Sequence, residues 1–371
     1  MTEHTPLPTG SVVQSDALAP LRVQIDSLDR QLLSLLNQRA RVAEQVGAVK
    51  RAEGTPFYRP DRVAQVIQKI ENANEGPLLN QHVAAIWREI MSACLALEAP
   101  QRIAYLGPEG TFTQAAALKH FGHDARVQPL ATITEVFREV EAGSVHYGVV
   151  PVENSSEGVV NHTLDCFLAS TLQIIGEVEL GIHQNFMVAP STRPESITRI
   201  YAHQQSLAQC RQWLDAHYPQ ADRIALNSNA EAARRVSSEW HSAAVAGEMA
   251  AEQYGLNILH ANIEDNPSNT TRFLIIGREQ VPPSGEDKTS LLIAAPDRAG
   301  ALLEILEPLA TQRISMTSIE TRPARPDKWA YVFFIDILGH QQDAHVSEAI
   351  AQIRQRVRDV RVLGSYPQAV L

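Results

Sequence analysis

Stepping alternately by four and three residues from Leu21, apolar side chains fall at Leu21, Ile25, Leu28, Leu32, Leu35, Val42, Val46 and Val49, and the one interruption is Arg39. A pattern of this period and length predicts one long helix over 21–52 with an apolar seam facing another helix. The stretch holds no proline and a single glycine, Gly47. Helical patterns resume over 61–72 and 80–98, after breaks at 54–60 and at Gly76-Pro77. At 1.5 Å per residue the long helix spans about 48 Å. Two short helices cannot enclose it, so the seam predicts a partner, most simply a second copy of the chain.

From Arg102 the pattern changes. Short apolar runs alternate with helical ones: RIAYL then TQAAALKHF, YGVVPVE then VNHTLDCFLA, ITRIYAH then SLAQCRQWLDAHY, RIALN then AEAARRV, SAAVAG then EMAAEQYG, and TTRFLIIG last. This order predicts an α/β unit with a largely parallel sheet, long enough for two lobes. Pro282, Pro283 and Gly285 mark a linker over 281–287. Beyond it, TSLLIAA, a helix over 299–311, ISMTSIETRP, WAYVFFIDIL, a helix over 343–357 and VRVLGSYP give the order βαββαβ, the split ferredoxin-like pattern. The expected divisions are a flexible tail at 1–18, a helical unit at 19–100, an α/β unit at 101–280 (lobes 101–178 with 265–280, and 179–264), the linker, and an α+β unit at 288–371.

Composition narrows the chemistry. A chain of 371 residues exceeds one ordinary core, and 44% hydrophobic with 20% charged residues reads as soluble and globular. No apolar run approaches the roughly 18 residues of a membrane span, and the N-terminus lacks the basic start and apolar core of a signal peptide. The expectation is a cytoplasmic protein with no membrane partner. Cys94, Cys166 and Cys210 lie far apart, and neither they nor the histidines show metal-ligand spacing, so no metal or cofactor is expected. A net charge of −10 argues against nucleic acid, and it obliges any anionic substrate to find a local basic site. Residues 22–62 supply one: eight basic against five acidic side chains.

Arg39 and Lys50 are 11 residues apart, within about 20° of alignment on a helix, so they share a face. Arg22 lies about 100° away from Arg39; it could not serve the same pocket from the same straight helix, but it could serve a partner's. Arg39 reads either as a polar seam residue that sets register or as part of an anion site inside a helical bundle. A dicarboxylate would be the natural counter-charge for the latter. In the α/β unit, the Gly107–Thr111 turn, the Asn154-Ser155-Ser156 loop and the Thr270-Thr271-Arg272 strand start would make a polar cleft at strand ends. A strand-start threonine alone is also simply good β-former chemistry.

Three sets of strings carry family resemblances. LRVQIDSLDRQLLSLLNQRARVAEQVGAVK, FYRPDR and IWREIMSACLALE, within 21–98, resemble the all-helical, intertwined chorismate mutases. That resemblance implies that Arg39, Lys50 and Arg62 bind substrate from one chain and Arg22 from the other. Cys94 and Glu98 would stand beside them on the third helix at i, i+4, with Lys50 and Glu98 catalytic at the ether oxygen. Glu98 stands where the family often has Gln and would need a proton to donate there. Mutase activity should then fall as pH rises toward neutral. Val63 stands where the family usually has Glu. LGPEGTFT, VPVENSSEG, QSLAQC and TTRFLIIG, within 102–277, resemble prephenate dehydratase, a two-lobed fold like a periplasmic binding protein. Thr271 is implied to be catalytic, with Thr111, Asn154, Ser155 and Arg272 binding substrate. The family's Ser-His-Pro-Gln string reads Ala202-His203-Gln204-Gln205. Residues 288–366 resemble the ACT regulatory domain of such enzymes. Gly300, Ala301 and Leu302 with Glu320, Thr321 and Arg322 would line a phenylalanine site between subunits.

Together the resemblances imply a bifunctional chorismate mutase–prephenate dehydratase. It would convert chorismate to prephenate and prephenate to phenylpyruvate, be inhibited by phenylalanine, and form a homodimer, possibly a higher oligomer. Two other readings stay open: a dehydratase whose helical unit, given Val63, serves mainly to dimerise, and a two-lobed amino-acid sensor without turnover.

Overall fold

The computed structural model describes residues 18–296, 298–323 and 330–369. The expected tail lies outside the described residues except Leu18, which is already helical. The long helix α1 (Leu18–Glu53) is followed by α2 (Pro60–Asn72), with Pro60 in its first turn, and α3 (Asn80–Glu98). Gly47 lets α3 approach α1 closely, since a Cβ there would sit 3.0 Å from the Glu98 Cα. Along the rest of α1 the seam has no partner among the described residues: Leu21, Leu28, Leu32 and Val49 are each more than half exposed.

Two sheets form the middle of the molecule. The first takes β1 (Arg102–Leu106), β2 (Arg126–Leu130), β3 (Tyr147–Asn154), β4 (Gly158–Val159), β5 (Gln173–Gly181) and, returning from far along the chain, β11 (Thr270–Gly277), in the order β2-β1-β3-β11-β5 with β4 on β3. It is flanked by α4 (Phe112–Phe121), α5 (Ile133–Glu141) and α6 (Asn161–Ala169). The second sheet is β10-β6-β9-β7-β8, from β6 (Asn185–Val188), β7 (Arg199–His203), β8 (Asp222–Leu226), β9 (Ser242–Ala246) and β10 (Asn257–His260). Its helices are α7 (Gln204–Gln209), α8 (Arg211–His217), α9 (Asn229–Val236) and α10 (Glu248–Tyr254). The expectation of a largely parallel sheet is corrected: β11 runs antiparallel between β3 and β5, and β6 runs antiparallel to both β9 and β10. Both reversals lie where the chain crosses between lobes, through β5 into β6 and back through β11. A crossing strand enters the next sheet without the helical return that parallel pairing requires.

The C-terminal unit is β12 (Asp287–Pro296), α11 (Ala301–Thr311), β13 (Met316–Pro323), β14 (Ala330–Leu338), α12 (Ala344–Arg356) and β15 (Asp359–Pro367), with strand order β13-β14-β12-β15. Alternation along β14 divides its side chains between two cores. Phe333, Ile335 and Ile337 pack under α11 and α12, while Val332 and Phe334 join the core of the first sheet. The two sheets meet so closely that a side chain at Gly364 would collide with the Ile174 backbone.

Candidate functional site

The helical unit encloses a cavity of about 760 Å³ lined by Arg39, Lys50, Arg62, Cys94 and Glu98. Arg39 is half-buried and donates from Nη1 to the Cys94 Sγ at 2.8 Å. It therefore faces inward, and no carboxylate of its own chain is bonded to it among the described residues. Lys50 Nζ donates to Glu98 Oε2 at 2.7 Å and to the Phe57 carbonyl at 2.8 Å. Arg22 is exposed on α1 and does not line this cavity, as its helical angle requires. Two cations that sequence reasoning did not single out, Arg59 and Arg88, also line it. Arg59 is engaged by the buried Asp61 through two bonds of 3.0 and 2.7 Å. Arg88 forms no hydrogen bond or ion pair among the described residues. Both lie within strings already quoted, and a basic side chain three residues before a cavity residue was the available signal.

The rest of the wall comes from outside the helical unit: His120 and Phe121 of α4, and Pro282 and Pro283 of the linker. Tyr58 is inserted among Phe121, Tyr147 and His120, and its hydroxyl lies 2.7 Å from His120 Nε2. Burial pushes the His120 imidazole down to about 3, so it accepts from Tyr58 as a neutral ring. Val63 packs against this same cluster. An apolar residue at position 63 thus belongs to the contact between units, which a glutamate could not make without burying its charge.

The second cavity, about 780 Å³, lies between the two lobes. Thr111, Asn154 and Thr271 line it, with Gln184, Ser206 and Gln209 from the other lobe. Thr111 caps α4, so the positive end of that helix opens on the cleft. Ser228 does the same for α9. Asn154 and Thr271 are register partners on β3 and β11. Asn154 Oδ1 accepts from the Ser156 and Glu157 backbone N–H groups at 2.9 and 3.0 Å, which fixes the amide, and its Nδ2 donates to Thr271 Oγ1 at 2.8 Å. The Thr271 hydroxyl is therefore an acceptor from Asn154. Its own proton has no protein acceptor among the described residues and is available to the cleft. The α4 helix has its start in this cleft and its end in the helical cavity, so ten residues span the two.

Arg272 is not in the cleft, contrary to expectation. Successive strand residues face opposite sides, and with Thr271 turned to the cleft Arg272 points to the C-terminal unit. There its Nη1 lies 2.7 Å from Asp336 and 3.3 Å from Glu177. Burial opposes its charge, but Asp336, Tyr366 and Glu177 outweigh burial and hold the guanidinium more firmly protonated than usual. Ser155 is likewise outside the cleft lining. Its hydroxyl donates to Asn269 Oδ1 and accepts from the Thr270 backbone, joining the two loops. Among the described residues, the one permanent cation that does line the cleft is Arg234, on α9. Ala202 is wholly buried in its lobe. Gln184 Nε2 donates to both Ser206 Oγ and Gln209 Oε1, and no spacing in the sequence marked Gln184.

In the C-terminal unit, Gly300 caps α11 (φ 87°), Ala301 is buried and Leu302 is exposed. Pro296 and Pro323 pair with the adjacent residues Ala330 and Tyr331, so the turn before α11 and the Glu320–Arg322 string share one end of the sheet. Arg322 is not free: its guanidinium grips Asp165 of α6. Burial and then the Glu153 charge push the Glu320 carboxyl up. No helix among the described residues is long and apolar enough to cross a membrane.

A family model described as prephenate dehydratase matches residues 103–281, one described as chorismate mutase type II matches 21–99, and one described as ACT domain matches 289–355. The chain is 57% identical over 363 residues to a bifunctional chorismate mutase/prephenate dehydratase of Stutzerimonas stutzeri, covering 96% of this chain and 100% of that one. A protein of the same description from Pseudomonas aeruginosa is 56% identical over 365 residues, covering 97% and 100%. A solved prephenate dehydratase in complex with L-Phe, from Arthrobacter aurescens, aligns with TM-score 0.68 at 36% identity, over 72% of this chain and 90% of that chain.

Proposed function

Since the chain belongs to the family of bifunctional chorismate mutase/prephenate dehydratases, we propose that it converts chorismate to prephenate in the helical cavity and prephenate to phenylpyruvate in the interlobe cleft, under feedback control by phenylalanine. The observation that carries the dehydratase assignment is the Thr271 hydroxyl, oriented by Asn154 and free to donate into the cleft.

In the first step a C–O bond breaks as a C–C bond forms, with no covalent part for the protein. Arg39 and Arg62 hold the carboxylates of a compact conformer, and Lys50 and Glu98 converge on the ether oxygen, where charge grows. In the second step the bond to the departing carboxylate breaks, carbon dioxide leaves, and that electron pair aromatises the ring and expels the ring hydroxyl as hydroxide, whose departure a hydrogen-bond donor eases and which solvent then protonates. Thr271 supplies that hydrogen bond. The α4 and α9 N-termini and Arg234 hold the substrate's carboxylates, the part expected of Arg272. Supplying chorismate to the full chain and following prephenate and phenylpyruvate, with and without phenylalanine, tests the whole reading. Prephenate that never appears, or that never proceeds, removes one half of it.

Glu98 Oε2 already accepts from Lys50 Nζ, so a donation to the ether oxygen would come from a protonated Oε1. Glu98→Gln, which keeps an acceptor oxygen for Lys50 and always carries a donor, should retain or raise chorismate turnover, and a loss of turnover would count against the role.

The exposed seam of α1 supports a homodimer in which Arg22 enters the partner's cavity. Leu28→Glu with Leu32→Glu should halve the mass seen in sedimentation and abolish mutase turnover. An unchanged mass would refute the seam as the interface.

A further inference from the structure

Arg272 follows Thr271 on β11 and Glu153 precedes Asn154 on β3. These two residues stand on the opposite face of the sheet from the cleft, directly behind the Asn154–Thr271 pair. The register between β3 and β11 shifts at this point: Arg272 is opposite Glu153, but Phe273 is opposite Pro151. Such a bulge re-aims the side chains beside it, and bulges recur next to active sites. Beside this one lies a set of charges. The Arg272 guanidinium reaches Glu153 at 3.5 Å, Glu177 at 3.3 Å and Asp336 at 2.7 Å. Glu153 and Glu177 belong to the flanking strands of the same sheet. Asp336 belongs to β14 of the C-terminal unit.

Asp336 is itself held firmly. Its second oxygen accepts from Ser290 Oγ at 2.5 Å, and that hydroxyl also lies 2.8 Å from the Tyr366 hydroxyl. Lys288 Nζ grips Glu177 with bonds of 2.7 and 2.9 Å, and the Ala369 N–H adds a third. The Arg272 side chain is 13% exposed, Asp336 12% and Glu177 1%. Asp336 is also the register partner of Ser318, on the strand that carries Glu320 to Arg322.

We propose that Asp336 is a positioning residue of the dehydratase step: through Arg272 it holds the β3–β11 bulge, and with it the Asn154–Thr271 pair, in the register that aims the Thr271 hydroxyl into the cleft. The inference rests on the catalytic reading of Thr271. It gives the C-terminal unit a mechanical hold on the chemistry from behind the sheet. An effector that shifts β13 and β14 reaches Thr271 without entering the cleft.

The test uses Asp336→Asn and Arg272→Lys in the full chain, the second keeping the charge but not the planar fork. Each is expected to lower dehydratase kcat roughly tenfold with KM for prephenate within about twofold, since the donor is misaimed while the carboxylate contacts remain. Chorismate turnover, expected at the wild-type rate, reports that the variants fold. In a Thr271→Ala background, Asp336→Asn should cost nothing further. A dehydratase kcat unchanged in both single variants, or losses that multiply in the double variant, would overturn the proposal. Thr271→Ala retaining full turnover would sink the catalytic reading instead, a result the single variants cannot mimic.

Discussion

Thr271→Ala is expected to lower dehydratase kcat by about 10²–10³-fold, the usual cost of deleting one oriented donor at a site of developing charge. KM for prephenate should change little, because the carboxylate contacts lie elsewhere in the cleft. The orientation argument sharpens the expectation. Asn154 must donate to Thr271 because its carbonyl is already committed to two backbone N–H groups. The hydroxyl proton is therefore directed, and a group of the same size without it, as in Thr271→Val, should be as poor as alanine. Thr271→Ser should retain a large share of turnover. Chorismate consumption in the same preparations should be unaffected, since α4 and not β11 borders the helical cavity. Phenylpyruvate formation by Thr271→Ala within a few-fold of wild type would refute the role.

For the first reaction the largest effect is expected from Arg39→Leu: a loss of about 10²–10³-fold in kcat/KM for chorismate, corresponding to roughly 3–4 kcal/mol for a charged hydrogen-bonded contact in a partly buried pocket. The same change should leave melting temperature unaltered or raise it. The lost partner, the Cys94 sulfur, is a weak acceptor, and leucine restores an unbroken apolar seam. A gain in stability with loss of turnover separates the two readings the periodicity leaves open. If Arg39 only sets register, leucine there would change oligomeric state while chorismate turnover persists. Thermal melts, sedimentation and chorismate loss on one preparation decide between them.

Much of the helical unit was legible because its chemistry follows a period. The α1 seam, the inward Arg39, the alignment with Lys50 and the exclusion of Arg22 all follow from 3.6 residues per turn. Gly47 also had a visible meaning once α3 was placed against it. The α/β unit was less legible. The reversal of β11 is a pairing between residues more than 100 positions apart, and no local pattern encodes it. The β5 strand was missed because Glu177 and Glu179 break its apolar run, and Glu177 is buried because Lys288 and Arg272 arrive to neutralise it. The misplacement of Arg272 was avoidable: a strand cannot turn two consecutive side chains to one cleft. Val63 was legible as a departure but not as a reason, because the cluster it joins is assembled from α4 and the strands β1, β3, β5 and β11.

That cluster has a consequence for how such a chain changes over generations. Tyr58 is seated in a nest built by the neighbouring unit, bonded to His120, tilted against Phe121 and edge-on to Tyr147. The junction is a plug in a socket, not beads on a string. Drift at 58, 120, 121 or 147 is tolerated only with an answering change across the seam, and swapping either half for that of a distant cousin leaves a hole or a clash where the two were moulded together.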